Sequence, residues 1–261
     1  MPVRTADPEQ ARLLVQRDGG VILTGLATDE AAAPAAMRAV FGERIARLPE
    51  PARVLVGGEG DRPRSQVDPA LSDAESTTTL DAHTDGFAYG DAYPDYFMLL
   101  CARASAAGGA SFLVDGLALA DQLASTAATA ELGRRLRTVP VDQSEPDMRT
   151  CIAPLVSHAP SGRPMLRCHP FQRPRPDSPT TAQDAELIAA WQAGIAAAAR
   201  SAERFTLLPG EAAVIDNYRM FHGRDPYRDI GRLMWRQWVW TEAATSIPTG
   251  PIHSDSRYAA A

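Results

Sequence analysis

Apolar positions recur along the chain with two periods, one close to 3.6 residues and one of 2. Ala11, Leu14 and Val15 share a face of a helix that Asp7 caps, Pro8 opens and Gly19-Gly20 stops. Val21-Ile22-Leu23 then reads as a short buried strand, and an alanine-rich helix is expected over residues 29–41. Strand patterns begin near Leu80 and recur at 96–101 and 111–114. A Pro-rich irregular stretch covers 169–179, after which Leu187, Ile188, Trp191 and Ile195 mark one face of a helix over about 181–200. Strands are expected again at 205–208, 212–215 and 233–240. Strands on both sides of a helical insertion, with no βαβ rhythm, predict a mainly β core with helical decoration.

Residues 57–79 are rich in Gly, Asp, Pro and Ser without periodicity. They read as a loop long enough to serve as a lid. No internal repeat or linker divides the chain, so a single domain over 1–261 is expected. With 261 residues, 45% of them hydrophobic, the chain can bury one sizeable core.

The formal net charge of -6 and the lack of a basic stripe argue against nucleic acid as a partner. No apolar run reaches the ~18 residues of a membrane span. The start, Met1 to Asp7, has no apolar core behind a basic head, so no secretory signal is expected. Cys101, Cys151 and Cys168 are odd in number and not spaced as zinc pairs, which suits reduced thiols in the cytoplasm. The chain has no lysine, which excludes Schiff-base, pyridoxal-phosphate and P-loop chemistry. Asn217 is the only asparagine.

Among the candidate reactive groups, His83-Thr84-Asp85 lies where strand character is expected. Side chains two apart on a strand point the same way, so imidazole and carboxylate are offered to one point. A second histidine from a distant strand completes a facial triad with three metal positions open, as oxygen activation by iron requires. Of the remaining histidines, His253 lies in a Pro/Ser-rich tail, His169 precedes Pro170, and His158 sits in a turn-like segment. His222, shortly after the apolar run 212–215, is the best placed. Taken alone, a His-x-Asp pair also fits two hydrogen-bonded surface residues.

The segment 232–240 adds a second signal. Arg232, Met234, Arg236, Trp238 and Trp240 fall on one face, and Leu233, Trp235, Gln237 and Val239 on the other. Arginines on so aromatic a strand need anions, supplied either by core carboxylates or by bound acids. Four residues of strand separate the two arginines by roughly 13 Å.

In order along the chain, these residues resemble the taurine dioxygenase (TauD/TfdA-type) family of iron(II)/2-oxoglutarate oxygenases, with clavaminate-synthase-like enzymes as relatives. His83-Thr-Asp85 is similar to the first two iron ligands. Pro94 to Cys101 with Gly108-Gly109-Ala-Ser111 is similar to the strand and turn that follow. Pro154 to Arg163 is similar to the His-Pro-x-Thr-Gly-Arg segment, and Pro209-Gly210-Glu211 with Asp216 to His222 to the block ending in the last ligand. The resemblance implies a double-stranded β-helix (jelly-roll) core and iron(II), 2-oxoglutarate and dioxygen as cofactor and co-substrates. It further implies that Arg232 binds the distal carboxylate of 2-oxoglutarate with help from Ser111, where a threonine is more usual. Arg236 then falls where relatives meet an acidic group of the substrate. Because Asp85 is a carboxylate, halogenation is disfavoured.

The expected reaction is hydroxylation of an unactivated C–H bond, with succinate and carbon dioxide released; desaturation or cyclisation is the alternative outcome. Arg236 and the nearby Asp81, Asp91 and Asp95 point faintly to a small polar, amino-acid-like or otherwise anionic metabolite, although solvated loop charge is the better account of the aspartates. Phe87, Tyr89 and Tyr93 either line the pocket or pack its turns. The expected partner is therefore a small molecule, not a nucleic acid or a membrane, and a homo-oligomer is compatible with the sequence. A non-catalytic jelly-roll sensor and a zinc hydrolase using the same three ligands are the competing classes.

Overall fold

The structure is a computed structural model that describes residues 1–54, 79–227 and 231–254. The chain opens with β1 (Val3–Thr5), α1 (Pro8–Asp18), β2 (Gly20–Leu23), α2 (Ala32–Phe41), β3 (Ile45–Arg47) and β4 (Ala52–Val54). After residues 55–78, where most of the proposed lid lies outside the described residues, come β5 (Leu80–His83), β6 (Tyr96–Arg103) and β7 (Ser111–Asp115). Two helices follow, α3 (Gly116–Leu123) and α4 (Ala130–Thr138), then the short strands β8 (Val141–Asp142), β9 (Ile152–Ala153), β10 (Val156–His158) and β11 (Pro164–Leu166). The last third holds α5 (Thr181–Ser201), β12 (Arg204–Phe205), β13 (Ala212–Asp216), β14 (Met220–Arg224) and β15 (Leu233–Thr241).

The larger sheet runs β1-β2-β13-β6-β15-β3, with β4 also paired to β15, and the smaller runs β12-β7-β14-β5. Alternation along the strands decides what each face meets. On the larger sheet, Tyr96, Met98, Leu100, Val214, Trp235 and Val239 face out and pack under α1 and α2. On the smaller sheet, Phe112, Val114 and Phe221 face out and are covered by α3, α4 and α5 through Leu119, Leu136, Leu187 and Trp191. The opposite faces meet each other: Phe97, Cys101, Ala213, Ile215, Met234 and Trp238 from one sheet pack with Phe205 and Met220 from the other, joined by Leu113. Two sheets closed on a shared core are the jelly-roll arrangement that the resemblance implied.

Local signals explain the first helix: Asp7 accepts from the N–H groups of Glu9 and Gln10, and Gly19 closes it at φ 81°. The second starts at Ala32 rather than residue 29, because Asp29 is spent accepting from the Ala32 N–H. The strand expected over 205–208 shortens to Arg204–Phe205. His222 was expected just past a strand end; it instead occupies the middle of its own strand, β14.

Candidate metal centre and co-substrate cavity

The inner face of the smaller sheet delivers two imidazoles to one point. His83 ends β5 and His222 sits directly opposite it on β14, so the ring centroids lie 4.2 Å apart. The backbone leaves the strand after His83, and Gly86 turns it at φ 77°, where a Cβ would collide with Pro94. Asp85 is thereby swung beneath the histidines: its Oδ1 lies 3.5 Å from His83 Nε2 and 3.8 Å from His222 Nε2. The three ligand atoms offered all lie within 4.8 Å of one another, and this is the one such group among the described residues.

The protonation states suit a metal. His83 Nδ1 meets the Asp81 carbonyl at 2.8 Å, which keeps that nitrogen protonated and leaves the Nε2 lone pair for coordination. Burial, then the neighbouring His83, pull the His222 pKa down to about 3, so its ring is neutral at pH 7. Asp85 is buried, which raises its pKa, yet the Arg236 guanidinium and the two histidines outweigh burial and hold it well below the usual carboxylate range. Two imidazoles and one anionic carboxylate, arranged on one side, fit iron(II) with open positions. The other nitrogen of His222, Nδ1, is buried without a hydrogen-bond partner among the described residues; its ring packs against Phe97 at 4.3 Å.

A cavity opens from the three ligands between the sheets, lined by Ser111 and Arg224 from the smaller sheet and Arg232, Met234 and Arg236 from the segment of the larger. Arg224 follows His222 by two on β14 and pairs with Ser111, so both share the ligand's face. Arg224 and Arg232 stand over the Tyr227 ring at 4.5 and 4.9 Å. Burial foremost, and the Arg232 charge with it, lower the Arg224 pKa despite the opposing effect of Tyr227. Arg232 is 6% exposed and has no acidic partner among the described residues. A buried guanidinium such as that of Arg232 is a site for an anion.

Arg236 serves the other end. Its Nη1 is 3.8 Å from Asp85 Oδ1, its Nε donates to the Ser254 carbonyl at 2.8 Å, and its Nη2 is buried with no partner among the described residues. His83, Asp85, His222, Ser111, Arg232 and Arg236 are thus brought together around one cavity. Phe87 and Tyr89 are not among its lining residues. Phe87 stacks on the buried His169 at 4.5 Å, and Tyr89 packs edge-on to Trp238 and Trp240 with its hydroxyl bonded to the His253 backbone. Tyr93 packs on Tyr218. Of the three aspartates, Asp95 is fully buried against Arg163 and Thr241, Asp91 pairs with Arg167, and Asp81 contributes its backbone carbonyl to His83.

Sequence reasoning passed over Arg224, Tyr227 and Trp238. A period-2 count from His222 reaches Arg224, so that signal was present. Trp238 donates its indole N–H to Asp85 Oδ2 at 2.8 Å, a partnership no pattern announces.

Residues 1–238 match the model of the family described as Taurine catabolism dioxygenase TauD, TfdA family. No curated protein matches the sequence. Among solved structures, an asparagine oxygenase (AsnO) superposes with a TM-score of 0.62 at 22% identity, covering 91% of this chain and 79% of that one. A taurine dioxygenase from Burkholderia xenovorans gives a TM-score of 0.63 at 18% identity, covering 90% and 81%. The non-haem iron oxygenase OrfP, solved with Fe and alpha-ketoglutaric acid, gives 0.57 at 16% identity, covering 90% and 80%. At such identities the likeness to these structures is one of fold. The family match spans every ligand and cavity arginine described above, and the chain belongs to the TauD/TfdA family of 2-oxoglutarate-dependent dioxygenases.

Proposed function

We propose that the protein holds iron(II) on His83, Asp85 and His222, anchors 2-oxoglutarate toward Arg232 and Ser111, and hydroxylates a small polar, amino-acid-like or otherwise anionic metabolite. The observation that supports this reading is a cavity joining a three-ligand centre to the buried Arg232, which has no acidic partner among the described residues, with the half-buried Arg224 beside it. The metal supplies activation of dioxygen, and 2-oxoglutarate supplies electrons and leaves as succinate and carbon dioxide.

The chain's own residues do the rest. Arg232 and the Ser111 hydroxyl both offer charge-assisted hydrogen bonds to one carboxylate, with Arg224 adding charge at the same end. Arg236 offers the unpartnered Nη2 to an acidic group of the substrate beside Asp85. Leu80, Leu99 and Met234 give the cavity apolar wall, which limits water around the reacting centre. Arg224 and Arg232, lining the same cavity as the triad, favour this reading over zinc-dependent hydrolysis by the same three residues, which needs no anchored dicarboxylate.

The test is coupled turnover with a panel of amino acids and small sulfonates, measuring succinate and product together. One succinate per product that has gained one oxygen atom supports the reading. Product formed without 2-oxoglutarate consumption overturns it.

A further inference from the structure

Asp85 presents its two oxygens to different partners. Oδ1 faces both imidazoles, at 3.5 and 3.8 Å, whereas Oδ2 accepts the Trp238 Nε1–H at 2.8 Å. We propose that Trp238 is a positioning residue that reserves Oδ2 and so makes Asp85 a one-oxygen ligand, keeping open the coordination position that 2-oxoglutarate needs. The inference rests on the function proposed above.

A carboxylate can give a metal one oxygen or two. Two imidazoles and one oxygen occupy three of six positions; a second oxygen takes a fourth and leaves two. A chelating keto acid and dioxygen together need three. An indole N–H is suited to guard the second oxygen because it is a donor only: it cannot turn and accept, and it favours the charged carboxylate.

The guard is fixed from every side. Trp238 is 1% exposed, and its ring meets Tyr89 at 6.0 Å and Trp240 at 6.4 Å, both nearly perpendicular. The Arg236 guanidinium lies 4.8 Å over its face, and its backbone N–H is held by Ser254 Oγ. The next residue on the same face, Trp240, spends its own indole N–H on the Ala92 carbonyl at 2.6 Å. Two indoles of one strand thus pin the segment 85–92, and only the first touches the ligand. The backbone of Asp85 is clamped to Asn217, so its main chain stays in place when the indole is removed and only the carboxylate is freed to turn.

The experiment compares wild type, Trp238→Phe and Trp240→Phe under nitrogen. Iron(II) affinity is measured first, then 2-oxoglutarate affinity of the iron-loaded protein. In Trp238→Phe the freed oxygen competes for the position: iron affinity stays within about threefold of wild type, while 2-oxoglutarate binds at least tenfold more weakly. Trp240→Phe, which opens the same aromatic cluster without touching Asp85, leaves both near wild type. Replacing Trp238 by benzothienylalanine, which keeps the bicyclic shape and lacks the N–H, reproduces the Phe result without a cavity. Unchanged 2-oxoglutarate affinity in both Trp238 variants overturns the inference alone. Equal loss of iron and 2-oxoglutarate in Trp238→Phe and Trp240→Phe overturns it in favour of a packing role. Failure of wild type to bind either ligand overturns the functional reading with it.

Discussion

Asn217 and Asp85 are 132 residues apart and clasp each other through both peptide groups of the ligand. The Asn217 Oδ1 accepts from the Asp85 N–H at 2.9 Å, and its Nδ2 donates to the Asp85 carbonyl at 2.9 Å and to the Pro94 carbonyl at 2.7 Å. The single asparagine of the chain, fully buried, therefore sets where the carboxylate stands relative to β14 and His222.

Replacing Asn217 by Ala leaves three buried backbone groups without partners. Each such loss costs about 1–3 kcal/mol, so a destabilisation of about 3 kcal/mol or more is expected in denaturant unfolding. Iron affinity is expected to fall in the fraction that stays folded. Unchanged iron affinity in a destabilised variant would show that the clasp serves folding alone.

Arg232→Gln removes a charge from the far end of the cavity. A hydrogen bond to a charged group contributes about 1.5–3 kcal/mol, which corresponds to a rise of roughly 10- to 150-fold in the KM for 2-oxoglutarate. Iron binding is expected to stay as in wild type, since Arg232 is not among the groups that face Asp85. A variant that keeps the wild-type KM would place the co-substrate elsewhere.

Arg236→Ala separates substrate from co-substrate. The KM for the substrate is expected to rise far more than that for 2-oxoglutarate, because the unpartnered Nη2 is the group offered to it. Equal effects on both constants would reject the assignment of Arg236 to substrate.

Much of this arrangement was readable before any coordinates. The alternation over β15 assigned its faces correctly, because each side chain there is buried against a different layer and the period of 2 is strict. His83, Asp85 and His222 were readable because so few histidines had a strand beside them. The unread parts depend on long-range pairing. α3 begins at Gly116, whose missing Cβ leaves room for Phe221 from β14, and that need is invisible in the local sequence. Likewise, a pattern states which face Trp238 occupies and says nothing of the carboxylate that takes its N–H. Tyr89 and Phe87 illustrate the same gap: both follow Asp85 closely, and the 3-10 helical turns of Phe87–Ala92 carry them into packing with Trp238 and His169.

His169 makes the metal-free protein sensitive to acid. It is 2% exposed with both ring nitrogens unpartnered among the described residues, and burial, then the Arg167 charge, lower its pKa to about 3. The unfolded chain takes up a proton near pH 6.5 that the folded chain refuses, so stability falls as pH drops from 6.5 toward 3 and is unaffected above. One such group costs about 2 kcal/mol between pH 6.5 and 5. His169→Phe, which preserves stacking on Phe87, is expected to flatten the fall of Tm with acid relative to wild type. Parallel Tm curves for the two proteins would contradict this.

The most direct test of the whole account is anaerobic titration of the iron(II)-loaded protein with 2-oxoglutarate, following the weak visible charge-transfer band of the chelate. The band is expected in wild type and absent in His222→Ala, which would establish iron, co-substrate and the strand-borne ligand together. Wild type that binds iron without developing the band, or His222→Ala that retains it, would contradict the assignment.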